Sequence, residues 1–266
     1  MITETYRYPD TGDRVTASFI AQHEPYEGYW SASEDAALAR LAEKLEALGG
    51  RDQVHALDAG CGEGRLLPWI ARFAARITAV DPDPERLGTA KTAKLPEGTE
   101  VTFQVSPVTG VRGGPFGLIV CSHVIQHVPT ADLQPLLDGL RAVAAPGASL
   151  VLSFSRAPFG RGGYSIDRIA PEGVRSEHVG QTRFDEALAS GEALPVRLVD
   201  PEQLTAMAAE AGWEPVWDWT YHVLDDLGVV DEHTDRDELV NAAPALRRQL
   251  GRDMVTLWRA APTSTE

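Results

Sequence analysis

The stretch VHALDAGCGEGRLLPWIARFAARITAVDPDPERL, Val54 to Leu87, contains two short apolar runs and a glycine-rich loop between them. Gly60, Gly62 and Gly64 fall within five residues after the first run, and Asp81 ends the second run. Glycine is costly to order, so a cluster of this kind indicates unusual backbone conformations or a close approach to another group. Together with an aspartate at a strand tip, the loop indicates a bound molecule.

Apolar runs and amphipathic segments alternate outward from this stretch. Short apolar runs separated by helices predict βαβ units and a parallel sheet covered on both faces. The last two runs, joined through a helical segment that Pro244 interrupts, predict an antiparallel C-terminal edge. The fold class is therefore α/β, with a doubly wound, Rossmann-like, mostly parallel sheet of about seven strands. Strands are predicted at 54–59, 76–81, 100–105, 117–122, 149–154, 214–223 and 253–261, and helices at 31–50, 65–75, 84–93, 132–144 and 201–211.

The whole chain, residues 1–266, is predicted to form one domain. The helix over 31–50 matches a capping box formed by Ser31 and Glu34. Residues 156–199 lack a strong hydrophobic period, and a connection of this length is typical of a functional lid or cap. A structural excursion or a dimer contact is the alternative interpretation. The expected sections are an N-terminal lid and helix at 1–50, a cofactor-binding core at 51–155, a cap insertion at 156–199, and a C-terminal helix with edge strands at 200–266.

Composition limits the classes of partner. The formal net charge of −15 repels phosphate backbones, so no nucleic acid partner is expected. No run of 18 apolar residues is present, so no membrane span is expected. Cys61 and Cys121 do not make a disulfide framework, and we expect small, space-filling thiols in a cytoplasmic protein. A homodimer is compatible with the sequence.

The positions of two aspartates indicate the kind of ligand. In open parallel sheets, ligands bind at the carboxyl ends of the strands. Asp81 lies 23 residues after Asp58, and a carboxylate at that strand end can accept both hydroxyls of a ribose. Dinucleotide sites use G-x-G-x-x-G to bind pyrophosphate at a helix N-terminus, whereas the spacing here is G-x-G-x-G. Asp58 would repel pyrophosphate but would suit an ammonium group, so S-adenosylmethionine fits both ends of the site.

The segment LDAGCGEG resembles the first motif of class I S-adenosylmethionine-dependent methyltransferases. AVDPDPERL, FGLIVCSHVIQHV and LRAVAAPGASLVLSF follow in the order of their small-molecule, ubiquinone/menaquinone-type branch. The resemblance implies that Asp58 anchors the amino group of the cofactor and Asp81 its ribose. It also implies that the residues after the fourth strand line the sulfonium end. The implied cofactor-binding set is Asp58, Ala59, Gly60, Cys61, Gly62, Asp81, Pro82, Pro107, Val108, Cys121, Ser122 and His123.

One departure from the family pattern concerns adenine. The loop after the third strand often carries an aspartate that meets the adenine amine, but this chain has Ser106, Pro107 and Val108 there. We therefore expect apolar contacts and backbone groups at Pro107 and Val108 to hold the adenine.

The chemistry of the sulfonium defines what else is needed. Its methyl group is already activated, so the enzyme must hold the reacting atoms in line and exclude water. A base is needed only when the acceptor is a hydroxyl or a carbon acid. His123 and His127 are the candidate catalytic residues; structural histidines or a metal-binding pair are the alternatives, and no third metal ligand is apparent. Tyr26, Tyr29 and Trp30 fit either a lid over the substrates or surface packing.

The absence of Asn-Pro-Pro-Tyr after the fourth strand argues against nucleobase or glutamine-amide acceptors. The sequence thus predicts methyl transfer to a small-molecule acceptor, with oxygen favoured over nitrogen or carbon. Two alternatives remain. A nicotinamide-dependent dehydrogenase would require G-x-G-x-x-G and a catalytic Tyr-x-x-x-Lys, whereas an S-adenosylmethionine-binding protein of the same fold would use the cofactor without methylating.

Overall fold

The computed structural model describes residues 29–46, 50–157, 162–170, 173–190, 194–223, 236–247 and 249–261. The first part of the chain alternates helices and strands, as predicted. Its elements are α1 (Tyr29–Leu45), β1 (His55–Ala59), α2 (Leu67–Ile70), β2 (Arg76–Asp81), α3 (Pro84–Ala90), β3 (Glu100–Val105), β4 (Phe116–Ser122), α4 (Leu133–Ala142) and β5 (Ala144–Ser155).

The second part begins with an inserted unit and ends with the sheet edge. The insertion contains β6 (Gly163–Ala170), β7 (Gly173–Val179), α5 (Gln181–Ser190) and β8 (Leu194–Leu198). The remaining elements are α6 (Pro201–Glu210), β9 (Trp213–Tyr221), α7 (Arg236–Ala242), α8 (Pro244–Arg247) and β10 (Asp253–Ala260).

Seven strands form the main sheet in the order β3-β2-β1-β4-β5-β10-β9. The pairs among β1 to β5 are parallel, and β10 runs antiparallel to both β5 and β9. The carboxyl ends of β1, β2, β4, β5 and β9 therefore meet at one edge, and the strand order reverses between β1 and β4. The predicted Rossmann-like sheet with an antiparallel C-terminal edge is confirmed.

Both faces of the central strands are buried. Leu57 and Ile119 enter one apolar layer, with the helices α4 and α6. Ala56 and Leu118 enter the opposite layer, with α1, α2 and α3. Because successive side chains of a strand point to opposite faces, burial on both sides requires the continuous apolar runs seen in β1 and β4.

The insertion after β5 is more regular than its sequence indicated. We call residues 163–198 the cap unit: an antiparallel sheet in the order β7-β6-β8, with α5 packed against β6 and β8. Its strands were not predicted for different reasons. Strand β7 is polar, and the side chains of residues 176–178 are exposed. Strand β8 is only five residues long and contains Pro195 and Arg197. The unit leaves and rejoins the core at adjacent points, since Ala157 N donates to Val199 O at 2.8 Å and Val199 N to Ser155 O at 2.9 Å.

Three predicted boundaries are wrong. Helix α1 begins at Tyr29, so Ser31 lies inside the helix and not at its cap; Glu34, the other half of the predicted capping box, pairs with Arg65. Helix α2 has only four residues, and the chain from 71 to 73 turns away. Strand β5 begins at Ala144, five residues early, where β4 and β5 shift register.

Other predicted helix ends are confirmed. Asp200 caps α6 by accepting hydrogen bonds from Glu202 N at 2.9 Å and Gln203 N at 3.5 Å. Gly212 follows the helix with φ +83°. Pro244 separates α7 from α8. None of the helices in the described ranges is long and apolar enough to span a membrane.

Candidate functional site

The glycine loop is pinned to the end of β2. Gly60 N and Cys61 N both donate to Val80 O, at 2.8 and 2.9 Å. Gly60 has φ +80° and Gly62 φ +53°. A Cβ on Gly60 would lie 2.3 Å from a Val124 methyl carbon, so a side chain is excluded by neighbours as well as by the backbone conformation.

Asp81 holds this loop from the tip of β2. Its carboxylate accepts hydrogen bonds from Gly62 N at 2.8 Å and Asp83 N at 2.9 Å. The cap of α3 is Asp83, which accepts from Glu85 N at 2.8 Å and Arg86 N at 3.2 Å, so Asp81 is not a helix cap. A carboxylate has about four acceptor positions, which leaves Asp81 capacity for ribose hydroxyls.

Asp58 is a buried carboxylate at the end of β1. It is 2% exposed, and Oδ2 has no hydrogen-bond partner in the described part of the chain. Burial raises the pKa of Asp58 to about 7; the charge of Arg65 lowers it, and that of Asp81 raises it. An unpaired buried carboxylate is costly, and an ammonium group would satisfy it. The site therefore fits the amino-acid end of S-adenosylmethionine.

The loop after β4 brings His123 against the end of β9. His123 has φ +54°; its Nδ1 is 3.3 Å from Gln126 Oε1, and its Nε2 is 3.0 Å from Tyr221 OH. Burial lowers the pKa of His123, and the charge of Asp253 opposes this. His123 is therefore held by two partners in a fixed orientation.

His127 is fixed by the cap unit. Its Nδ1 donates to Pro195 O of β8 at 2.8 Å, which assigns the lone pair of the neutral ring to Nε2. Burial lowers the pKa of His127 to about 4, so the ring is neutral at physiological pH. The described residues contain no group of three or more His, Cys, Asp and Glu side chains that could hold a metal ion.

Cys61 lies in the glycine loop, and Cys121 lies in β4. Both are buried free thiols. Burial raises the pKa of Cys121 to about 12 and also raises the pKa of Cys61. Both therefore remain protonated, which agrees with their prediction as space-filling residues.

The predicted adenine loop follows β3. Residues 108–110 form a short 3₁₀ turn preceded by Pro107. Val108 is half-buried and packs against the apolar layer that contains α4. This apolar surface is compatible with a base held without an aspartate; the adenine role of Pro107 and Val108 stays a prediction.

A polar cluster that the sequence did not predict lies at the end of β9 and the start of β10. His222 Nδ1 lies 2.7 Å from Asp253 Oδ2, and Ser155 Oγ donates to Asp253 Oδ1 at 2.9 Å. Tyr221, next to His222, reaches His123 from a position 98 residues away. The available signal was a Tyr-His pair at the end of a strand predicted for the same sheet edge. Only the tertiary structure brings Tyr221 to His123, because β5 and β10 lie between β4 and β9.

The three side chains of the predicted aromatic lid lie outside the part of the chain that the structure describes. Tyr26 lies outside the described residues, and so do the side chains of Tyr29 and Trp30. Further along α1, Ser33 Oγ accepts a hydrogen bond from His222 N at 3.0 Å and donates to Asp237. Helix α1 is thus anchored at the same sheet edge, while the lid role of the three aromatic residues stays a prediction.

A Rossmann-like sheet with a glycine loop and with aspartates at the ends of two strands is typical of enzymes that bind a nucleoside-containing cofactor. A family model described as "Methyltransferase domain" matches residues 29–217. The chain therefore belongs to this methyltransferase family. This confirms the predicted resemblance to class I methyltransferases and the prediction that S-adenosylmethionine is the cofactor.

Curated relatives match the core of the chain. The ubiquinone biosynthesis O-methyltransferase of Xanthomonas axonopodis pv. citri (strain 306) is 31% identical over 146 residues, which cover 52% of this chain and 59% of that protein. The enzyme of the same name from Xylella fastidiosa (strain 9a5c) is 32% identical over 100 residues, covering 36% of this chain and 40% of that protein. The matches thus span about half of these relatives.

Solved structures share the fold over a longer stretch. An S-adenosylmethionine-dependent methyltransferase from Mesorhizobium loti gives a TM-score of 0.55 at 19% identity, covering 87% of this chain and all of that one. The 1,6-didemethyltoxoflavin-N1-methyltransferase of Burkholderia thailandensis, bound to 1,6-didemethyltoxoflavin and S-adenosylhomocysteine, gives 0.51 at 18% identity, covering 98% and 93%.

Proposed function

We propose that this protein transfers the methyl group of S-adenosylmethionine to a small-molecule acceptor, at oxygen in preference to nitrogen or carbon. The observation that carries the proposal is the unpaired Oδ2 of buried Asp58 beside the glycine loop. A cofactor whose amino-acid end carries an ammonium group satisfies that oxygen. The O-methyltransferase relatives support oxygen as the acceptor atom.

Each part of the cofactor has a proposed partner. Asp58 binds the ammonium group, and Asp81 accepts the ribose hydroxyls while it holds Gly62 N in place. Pro107 and Val108 provide an apolar contact for adenine. The loop backbone and the residues at the end of β4 enclose the methionine chain: Ala59, Gly60, Cys61, Gly62, Pro82, Cys121, Ser122 and His123.

The bound cofactor supplies an activated methyl group, and the chain must orient the acceptor and receive its proton. A hydroxyl acceptor needs a base. We assign this role to His127, because its Nδ1–H bond to Pro195 O fixes the tautomer with the lone pair on Nε2. The low pKa of His127 makes it a weak base before reaction, so it acts as the acceptor oxygen loses electron density to the methyl group. His123, held by Gln126 and Tyr221, orients the site.

The acceptor is proposed to bind between the core and the cap unit. The backbone of β8 contacts His127, and Arg197 Nη2 donates to Val128 O at 2.7 Å and Thr130 Oγ1 at 3.1 Å. The cap unit thus reaches the loop that carries both histidines. The aromatic residues at 26, 29 and 30 would complete the acceptor site as a lid, and nucleic acid is not expected there because of the net charge of −15.

Labelled methyl transfer tests the proposal. The purified protein would be incubated with S-adenosylmethionine carrying a deuterated methyl group and with phenols, hydroxyquinones and matched aromatic amines. We expect S-adenosylhomocysteine release and a labelled methyl ether from a hydroxylated compound, detected by mass spectrometry. Asp58→Asn serves as the low-affinity control.

Two outcomes contradict parts of the proposal. Labelled amine products without ethers would move the acceptor atom to nitrogen. Tight S-adenosylhomocysteine binding without turnover on this panel or on a metabolite extract would favour the non-methylating alternative, which membership in the methyltransferase family does not favour.

A further inference from the structure

The part that His123 plays follows from the hydrogen bonds around its ring and backbone. His123 comes directly after β4 and has φ +54°, a conformation that is uncommon for a residue other than glycine and persists only where neighbouring groups hold it. Its backbone N donates to Ser153 O of β5 at 2.8 Å. The residue is thus held by contacts from outside its own loop.

The amide of Gln126 places a proton on His123 Nδ1. Ser155 N donates to the Gln126 side chain at 2.9 Å, and because a backbone N–H can only donate, the Gln126 atom that it meets is Oε1. The same oxygen lies 3.3 Å from His123 Nδ1, so Nδ1 must carry a proton to bond to it. Burial lowers the pKa of His123, so the ring is neutral at physiological pH and Nε2 has the lone pair.

Tyr221 occupies this lone pair. Its hydroxyl lies 3.0 Å from His123 Nε2. Burial raises the pKa of Tyr221 well above its ordinary value, so the hydroxyl keeps its proton. Ser153 also hydrogen-bonds this hydroxyl; because Nε2 can only accept, Tyr221 donates to His123 and accepts from Ser153. His123 therefore has no free lone pair with which to take a proton from an acceptor.

The loop that Tyr221 holds through His123 reaches both sides of the proposed reaction site. A Cβ on Gly60 would lie 2.3 Å from a methyl carbon of Val124, so the residue after His123 packs on the glycine loop. His127 N donates to Val124 O at 2.9 Å. A shift of His123 would therefore be transmitted to the glycine loop on one side and to the proposed base on the other.

We propose that Tyr221 is a positioning residue for methyl transfer: its hydroxyl holds His123 as the Nδ1–H tautomer, and this fixes the loop that places His127 beside the acceptor. The inference rests on the proposed function and deepens it, because it leaves His127 as the base and makes His123 a positioning residue. Tyr221 acts through His123, since its hydroxyl is buried and is bonded to His123 and Ser153.

Nuclear magnetic resonance tests the assigned tautomer. Long-range proton–nitrogen correlation spectra of the nitrogen-labelled full chain distinguish a protonated ring nitrogen from one that has a lone pair. His123→Asn identifies the His123 signals by their loss, and asparagine tolerates the positive φ. We expect Nδ1–H in the unaltered protein and, in Tyr221→Phe, an Nε2 signal shifted toward that of a nitrogen without a hydrogen-bond donor. A proton on Nε2 in the unaltered protein would overturn the proposal.

Kinetics test the positioning role. Tyr221→Phe deletes only the hydroxyl and keeps the ring, whose centroid lies 4.5 Å from that of His222. With the hydroxylated compound that the labelled-methyl assay identifies as acceptor, we expect kcat to fall about tenfold, because a buried nitrogen loses its donor. KM for S-adenosylmethionine and the affinity for S-adenosylhomocysteine should stay within about threefold, since Asp58 and Asp81 are unchanged.

Thr220→Val is the matched control. Thr220 precedes Tyr221 in β9, is buried, and donates from Oγ1 to Arg247 O at 3.3 Å. Its side chain lies on the other face of the strand, so the variant should lower stability and leave kcat unchanged. In a His123→Asn background, Tyr221→Phe should lower kcat no further, because Tyr221 acts through His123.

An unchanged kcat in Tyr221→Phe, an equal loss in Thr220→Val, or full additivity of Tyr221→Phe with His123→Asn would overturn the positioning role. Those results leave the proposed function standing. Absence of methyl transfer by the unaltered protein would overturn the proposed function, and this inference with it.

Discussion

Asp58 shows how one side chain couples cofactor binding to protons. Burial raises the pKa of Asp58 to about 7 against the opposing charge of Arg65. An ammonium group is attracted to the ionised carboxylate and not to the neutral acid. Binding at a pH below 7 must therefore first remove a proton from Asp58.

The affinity for S-adenosylhomocysteine should fall as the pH falls through 7. The ionised fraction of a group of this pKa drops about tenfold between pH 8 and pH 6, so we expect the dissociation constant to rise by about the same factor. Calorimetry at pH 6, 7 and 8 measures it. Asp58→Asn should bind more weakly at every pH and lose this slope; an identical slope in the variant would assign the proton to another group.

At the scale of elements, β9 and β10 are joined at the site edge by a buried pair. Asp253 begins β10, and His222 follows β9; their side chains are 2% and 3% exposed. Burial by itself would raise the pKa of Asp253, but the hydrogen bond and charge of His222, with other nearby cations, outweigh it and the pKa is lowered. Because the acid is stronger in the folded state, its stabilisation is present above the unfolded pKa and is lost as the pH falls through the folded value.

Asp253→Asn should destabilise the protein by about 2 kcal/mol, since charge-assisted hydrogen bonds to His222 and Ser155 are weakened. Urea unfolding at pH 7 measures this change. Asp218→Asn is the matched control on β9. Asp218 Oδ1 pairs with Arg247 Nε at 3.2 Å, and the two side chains are 39% and 33% exposed. Exposed ion pairs of this kind contribute roughly 0–1 kcal/mol to stability. Equal destabilisation by the two variants would contradict the assigned importance of the buried pair.

At the scale of the whole molecule, we expect the core to fold after the cap unit is removed. Its two stems are hydrogen-bonded to each other at Ala157 and Val199, so a short glycine linker can replace residues 158–198. The loop and strand ends that hold the cofactor lie in the core. Part of the apolar surface around Ile125 and Val128 would become exposed, and some loss of stability is expected.

The shortened protein should bind S-adenosylhomocysteine within about threefold of the full chain, equivalent to roughly 0.6 kcal/mol. Methyl transfer to the acceptor found with the full chain should collapse, because β8 no longer orients His127. Calorimetry and mass spectrometry give the two readouts. Retained transfer would place acceptor selection in the core and contradict the proposed role of the cap unit.

Local sequence determined much of the core. Runs such as 76–81 and 100–105 match β2 and β3 residue for residue. Strand β2 is an apolar run because it is buried in the parallel sheet, whereas β3 lies at the sheet edge and over most of its length alternates exposed and half-buried residues. Asp58 and Asp81 could be selected as site residues for a related reason. Each stands at the end of its own strand, so its place at the sheet edge follows from the order of residues alone.

Tertiary structure decided what depends on distant residues. The pairing of β9 with β10 brings His222 to Asp253, and the contact of two side chains at the same sheet edge joins Tyr221 to His123. No local pattern records either separation. The start of α1 upstream of Ser31 and the strands of the cap unit also depend on long-range packing. The pairing of Arg65 with Glu34 is of this kind, since hydrogen bonds and ion pairs act through space while periodicity acts along the chain.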